Sequence, residues 1–355
     1  MKNRNIDLRS DTVTLPKPEM IKAIAQAELG DDILREDPTV KKLEKKAAEI
    51  LGMEDALLVI SGTMANQIAL MSLSQRGEEV IMGYNSHMYN LEGAGIATLS
   101  QVQVRPINII NGYYNPKDIE DSISVGDIQK PKTALICIEN PYNLNSGVNI
   151  TVENMRQVKE IANKYNIPVY LDGARIFNAA VAMDVKPVDL CKHVDAMQFC
   201  LTKGLGCPLG SILAGNKDFI EQARVNRQRL GGGMRQAGII AAPGIYALDQ
   251  MIERLEQDNK GAKQLGKGIA SIPGIELNLD SLQTNIISFS LTSEEWDADR
   301  LVKYLNNKNI QVKKIGSREI RMIVHYQITE SDIDYVISIF NRLFNNENYI
   351  MMHST

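Results

Sequence analysis

Two apolar runs, each breaking off into a polar turn that carries glycine, constrain this chain more than any other feature. The first is Pro168-Val-Tyr-Leu-Asp-Gly-Ala-Arg175. The second is Ala196-Met-Gln-Phe-Cys-Leu-Thr-Lys-Gly-Leu-Gly-Cys-Pro-Leu-Gly-Ser211. Each reads as a short strand buried on both faces, the pattern of a parallel sheet covered by helices. In open sheets of that kind, ligands sit outside the carboxyl ends of the strands. Asp172 and Lys203 fall at two such ends. A carboxylate and an amine so placed suit pyridoxal 5'-phosphate (PLP), which needs a lysine to bind its aldehyde and an acid against its ring nitrogen.

The rest of the first two-thirds alternates in the same way. Met20, Ile21, Ile24 and Ala25 have helical spacing, predicting a helix from Pro18 to Leu29 that stops at Gly30. Asp37-Pro38 reads as N-cap and first residue of a second helix ending at Leu51-Gly52. The charged Gly30–Asp37 segment between them reads, by itself, as a solvated connection. Ala56–Ile60 is a strand, and Ser61-Gly-Thr-Met-Ala-Asn66 turns it into a helix. Free N–H groups and the positive end of a helix dipole meet there, so Gly62 and Thr63 are candidates to hold a phosphate. Read alone, the same turn is equally a helix cap. Strands follow at Glu79–Met82, Val102–Ile107 and Thr133–Glu139, and His87 lies just beyond the first of them. A lone histidine fits a structural role as well as a site. A basic helix ends in Arg227, Arg229, Gly231–Gly233 and Arg235, and one long helix is expected from Ala237 to Glu256. After it the pattern shifts to shorter strands and helices, an α+β unit.

Composition narrows the classes. The net charge is -4 and no dense basic run occurs, so nucleic acid is not an expected partner. No apolar run has the length of a membrane span and the N-terminus lacks a signal-peptide core, from which a cytoplasmic location is expected. Cys137, Cys191, Cys200 and Cys207 show no metal-ligand pairing and read as buried thiols. His87, His193, His325 and His353 are widely spaced, so no metal site is expected.

Taken together, several segments resemble one family. They are Ile6-Asp-Leu-Arg-Ser-Asp-Thr-Val-Thr, Gly30-Asp-Asp, Asp37-Pro-Thr-Val, Gly62-Thr with Ala65-Asn66, the His87 loop, Leu171-Asp-Gly-Ala-Arg-Ile-Phe-Asn178, Thr202-Lys-Gly-Leu-Gly206 and Gly231-Gly-Gly-Met-Arg-Gln236. In this order they resemble the low-specificity L-threonine aldolases, fold-type-I PLP enzymes related to aspartate aminotransferase. The resemblance covers nearly the whole chain. It implies an α/β fold with a large doubly wound, mostly parallel sheet domain over 18–256, a small α+β domain over 257–355, and an N-terminal arm over 1–17 that joins the site.

The resemblance also implies roles. Lys203 holds PLP covalently, Asp172 pairs with the ring nitrogen, His87 stacks on the ring, and Gly62 and Thr63 bind the phosphate. Arg175 lies near the cofactor's phenolic oxygen and the substrate carboxylate, and Ser10 and Arg321 clamp that carboxylate. Arg227, Arg229 or Arg235 supplies phosphate contacts across a homodimer or homotetramer interface. The implied reaction is cleavage of the Cα–Cβ bond of an L-β-hydroxy amino acid to glycine and an aldehyde. Elimination of a β-substituent, transfer of the glycine unit to another aldehyde, and a non-catalytic PLP-binding protein remain alternatives. Three positions depart from the family pattern. Tyr142 stands where many members have histidine, Leu34-Arg35 replaces a Tyr-Gly pair, and Gln228 replaces a lysine. The first two concern the substrate pocket and suggest a larger or charged side chain that Arg35 would read.

Overall fold

A computed structural model of the chain describes residues 5–344, so His353 and the end of the expected small unit lie outside the described residues. The strands in chain order are β1 (Ile6–Asp7), β2 (Asp55–Val59), β3 (Glu79–Gly83), β4 (Gln103–Ile107), β5 (Thr133–Glu139), β6 (Val169–Asp172), β7 (Ala196–Cys200) and β8 (Ser211–Gly215). Further strands are β9 (Ile275–Glu276), β10 (Ile286–Leu291), β11 (Ile310–Gln311), β12 (Lys313–Lys314) and β13 (Glu319–Ile323). Seven of them form one sheet in the order β2-β8-β7-β6-β5-β3-β4. Only β8 runs against its neighbours in this sheet, pairing antiparallel with both β2 and β7. The continuous apolar runs have the physical cause read from the sequence: β3, β6, β7 and β8 are buried at every residue because helices cover both faces.

Helices α1 (Pro18–Ala25), α2 (Pro38–Leu51) and α3 (Gly62–Leu73) open the large unit. The α2 boundaries follow local chemistry. Asp37 accepts a hydrogen bond from the Val40 N–H, and Gly52 closes the helix in a left-handed conformation. Val40, Leu43, Ala47, Ala48 and Leu51 form its buried stripe. Two expectations are corrected. The first helix ends at Ala25, four residues before Leu29. The single helix expected from Ala237 to Glu256 is two, Gly238–Gln250 and Leu255–Ala270, separated by a turn in which Arg254 lies over the Tyr326 ring and pairs with Asp258.

The C-terminal unit holds a four-stranded antiparallel sheet, β12-β13-β10-β9, over a separate apolar cluster that includes Leu265, Ile287, Phe289, Trp296 and Phe340. The arm belongs to this unit. β1 pairs in parallel with β11, Leu8 is fully buried, and its carbonyl accepts from the Ile323 N–H. The Tyr326 hydroxyl donates to the Leu15 carbonyl and the Gln327 side chain accepts from the Leu15 N–H. Residues 10 and 11 are thereby held over the carboxyl ends of the central strands. All four cysteines are buried and free, and among the described residues no helix is long and apolar enough to cross a membrane.

Candidate active site

The carboxyl ends of β5, β6 and β7 carry Glu139, Asp172 and, just beyond β7, Lys203. Asp172 is 2% exposed, and N–H donors hold both oxygens. Gln198 Nε2 reaches Oδ1 at 2.5 Å, the Ala174 N–H reaches Oδ1 at 3.1 Å, and Asn66 Nδ2 reaches Oδ2 at 2.9 Å. Both oxygens of the buried carboxylate are thus met by fixed donors. Asn66 is oriented in turn by the Tyr170 hydroxyl, which donates to its Oδ1 at 2.8 Å.

His87 begins a short helical turn after β3, and its backbone N–H donates to Glu139 Oε2 at 2.6 Å. Its Nδ1 lies 2.9 Å from Glu92 Oε1, and the side chain is 28% exposed. Burial disfavours the charged imidazole, but the Glu92 hydrogen bond and the charges of Asp172 and Glu139 outweigh it, leaving the His87 pKa raised. Glu139 accepts a second backbone bond from Asn143. Burial and the neighbouring Asp172 push the Glu139 carboxyl up to about 7.

The arginines are not equivalent. Arg175 is held bidentately by Asp11 of the arm, Nε to Oδ2 and Nη2 to Oδ1, both at 2.7 Å, and its Nη1 reaches Asn143 Oδ1 at 3.3 Å. Burial opposes ionisation of Asp11, but Arg175 and Lys203 prevail and its pKa falls to about 2. This pair stabilises the fold above pH 3.8, the ordinary value, and the contribution is lost as pH falls through about 2. Arg321, 6% exposed, also reaches Asn143 Oδ1, at 3.2 Å. Its Nε has no hydrogen-bond partner, and no ion pair to it is found among the described residues. Burial, then the like charge of Arg175, lowers its pKa to about 10.

PLP fits these residues. At the start of α3 the Ser61 side chain caps the Met64 N–H, which leaves the first-turn N–H groups of Gly62 and Thr63 for a ligand. A Cβ on Gly62 would stand 2.7 Å from Cys200 Sγ, so only glycine lets this turn lie against β7. The charge of Lys203 is felt by both Asp11 of the arm and His87 of the loop after β3. Asn66 and Glu92 link Asp172 to His87, and Asn143 links Arg175 to Arg321, with Asp11, next to Ser10, tying Arg175 to the arm.

Other expected residues lie elsewhere. Tyr142 is 1% exposed, packs edge-on against Tyr114, and accepts from the Asn85 N–H at 3.1 Å. Burial pushes its hydroxyl well above the ordinary value, and a Cβ on Gly83 would collide with that oxygen. The adjacent Asn143 faces the arginines instead. Tyr142→His is expected to lose about 1–3 kcal/mol of stability, seen as a lower melting temperature, with no gain in turnover. Arg35 is paired with Glu221 at the surface, and Leu34 is 64% exposed. Arg227 is buried, tied to Asp32 at 2.7 Å and to the Leu58 carbonyl at 2.8 Å, with its Nε left without a partner. Arg229 and Arg235 are exposed.

Asp11, Asn66, Gln67, Glu92, Glu139, Asn143, Asn285 and Gln198 were given no role by the sequence reading. A signal existed for Gln198 and Glu139, polar residues within or ending otherwise apolar strands, because a buried polar side chain needs a partner. Asp11 and Glu92 carried none, since their partners come from distant elements.

A family model described as beta-eliminating lyase matches residues 7–292. The chain is 40% identical over 344 residues to low-specificity L-threonine aldolase 1 of Arabidopsis thaliana, covering 96% of each. It is 37% identical over 329 residues to the low specificity L-threonine aldolase of Escherichia coli (strain K12), covering 92% of this chain and 96% of that one. Among solved structures, a Leishmania major threonine aldolase is similar in fold with a TM-score of 0.83 at 20% identity, covering 96% of this chain and 99% of that one. Sequence similarity over the full span and a site that fits PLP converge on one assignment: the chain belongs to the low-specificity L-threonine aldolase family, PLP-dependent lyases of fold type I within the beta-eliminating lyase group.

Proposed function

We propose that this protein cleaves the Cα–Cβ bond of an L-β-hydroxy amino acid of the threonine or allo-threonine type, releasing glycine and an aldehyde. One observation carries the reading. Arg321 is a buried guanidinium with an unpartnered Nε, whereas the neighbouring Arg175 is already met by Asp11. A desolvated cation short of partners is a receptor for an anion, and a guanidinium fits a carboxylate bidentately. Arg321 thus binds the amino acid's carboxylate, with Ser10 and Asn143 beside it.

Lys203 holds the cofactor, Asp172 faces its ring nitrogen, Gly62 and Thr63 take its phosphate, and His87 flanks the ring. When bound, PLP supplies an electron sink for the pair released as the Cα–Cβ bond breaks. Arg321 fixes rotation about Cα, which decides the bond that is aligned to break, while Asp172 sets a carboxylate against the ring nitrogen.

The reading extends to assembly as a homodimer or homotetramer. Leu15, Ile21, Leu29, Ile33 and Leu34 are large apolar residues left exposed along the arm, α1 and the following loop. A second copy would cover them. In such an assembly the exposed Arg229 and Arg235 would exchange their present partners, Asn226 and Asp31, to reach a neighbouring site. A charged substrate read by Arg35 requires that residue to leave Glu221, so the simpler substrate is favoured.

The family model's description supports β-elimination as the second reading. A panel of threonine, allo-threonine, phenylserine and an acidic β-hydroxy amino acid decides between them by product. Glycine with the matching aldehyde is expected, with threonine or allo-threonine preferred. Ammonia with a keto acid would overturn cleavage in favour of elimination, and preference for the acidic substrate would restore Arg35 as a specificity residue.

A further inference from the structure

Glu92 lies five residues beyond His87 in a loop between two short helical turns, its side chain fully buried, and among the described residues its basic partner is His87. Its oxygens accept only from nitrogen. Oε1 takes His87 Nδ1 at 2.9 Å and Asn66 Nδ2 at 2.7 Å, and Oε2 takes Gln67 Nε2 at 2.8 Å. The same Asn66 nitrogen donates to Asp172 at 2.9 Å. One amide therefore ties two buried carboxylates, and the ligand atoms of His87, Glu92 and Asp172 lie within 4.8 Å of one another.

Two carboxylates this close in a dry interior need compensating positive charge or donors. Asn66, Gln67 and Gln198 supply the donors, and the imidazole of His87 is positioned to supply the charge. Gln67 gives its Nε2 to Glu92 and leaves its own Oε1 buried without a partner.

We propose that Glu92 is a positioning residue for the reaction: it fixes a proton on His87 Nδ1, orients the ring, and leaves Nε2 as the nitrogen that exchanges protons at the opening, with Asn66 joining this pair to Asp172. His87 then enters the site biased toward the imidazolium, as a proton donor. The groups facing it from the surrounding elements act in both directions. Glu92 from its own loop, Asp172 from β6 and Glu139 from β5 favour the charged ring, while Lys203 beyond β7 opposes it. The proposal rests on the PLP reading only for what the ring faces; the link from Glu92 to His87 is a property of the chain itself.

The chain has four histidines, which makes imidazole titration readable in the full-length protein by NMR after selective ¹⁵N-histidine labelling. The His87 signal is identified by its loss in His87→Asn. Wild type is expected to titrate above an ordinary histidine and to keep Nδ1 protonated when the ring is neutral. Glu92→Gln is expected to lower the midpoint by at least about one pH unit, tenfold in the protonation constant, and to release the tautomer. Glu92→Asp, which keeps the charge, should recover part of the shift.

A folded Glu92→Gln protein with unchanged midpoint and tautomer overturns the proposal. Should Glu92→Gln fail to fold, Glu92→Asp decides: an unmoved midpoint and tautomer overturn it, and a partial fall upholds it. Addition of PLP to the same samples separates this outcome from the functional reading. A visible absorption band that disappears in Lys203→Ala is expected. Its absence from the wild type would sink the PLP site here and leave the His87 titration to judge Glu92 unaided.

Discussion

Asp172→Ala is expected to lower kcat/KM for glycine release by about 10²–10³-fold and to destabilise the chain by about 2–4 kcal/mol. Both effects arise from the same three donors. Gln198 Nε2, Asn66 Nδ2 and the Ala174 N–H converge on a carboxylate that is itself buried. Removing the acceptor leaves them buried without partners, and in the proposed reading it removes the carboxylate set against the cofactor's ring nitrogen. Asp172→Asn is not a conservative rescue, because its new NH₂ group would meet a donor on either side. The asparagine variant should therefore share most of the loss, measured by steady-state glycine release, PLP affinity and thermal melting. Retention of wild-type kcat/KM by Asp172→Asn would mean that charge at this position is not what the reaction uses.

The strand ends carrying Asp172 and Lys203 were legible because a fully buried parallel strand writes itself as an unbroken apolar run, and the run must stop where the ligand begins. The helix caps were legible for an equally local reason, as Asp37-Pro38 and Gly52 show. What decides the chemistry was not local. Asp11 and Arg175 meet only because β1 pairs with β11 and carries the arm over the sheet. The residues of the arm name no partner so far along the chain by themselves; only the resemblance of the Ile6–Thr14 segment implied that the arm joins the site. Tyr142 shows the opposite failure. Aligning it with a histidine position places it in the site, whereas its phenol fills a space against Gly83 and Tyr114 and hands the site to Asn143. Glu92 illustrates a third. Its spacing from His87 looks like an ordinary loop, and its function depends on Asn66 and Gln67 of α3 arriving from the other side.

Arg321→Met should raise KM for the amino acid by about 10²–10³-fold, the cost of losing one partner of a desolvated charge pair, with a smaller change in kcat. In contrast to Asp172→Ala, it should leave the melting temperature unchanged or higher. The guanidinium lies between β13 and Asn143, with an orphaned Nε and the like charge of Arg175 nearby. Without substrate it is a charge the fold carries at a cost. The sign follows from its pKa of about 10, below the ordinary 12.5. A base held down in the folded state destabilises it at neutral pH, where both states are charged, and the penalty fades as pH rises through about 10. Methionine fills a similar volume without that charge, and such replacements of buried ions are commonly neutral or stabilising. Substrate should reverse the comparison: a saturating β-hydroxy amino acid ought to raise the melting temperature of the wild type and leave that of Arg321→Met nearly unmoved. If Arg321→Met bound the amino acid as tightly as wild type, the carboxylate would have to be held by Arg175, which would then need to part from Asp11. Asp11→Asn would in that case tighten substrate binding, whereas with Arg321 as the receptor it should only loosen the arm.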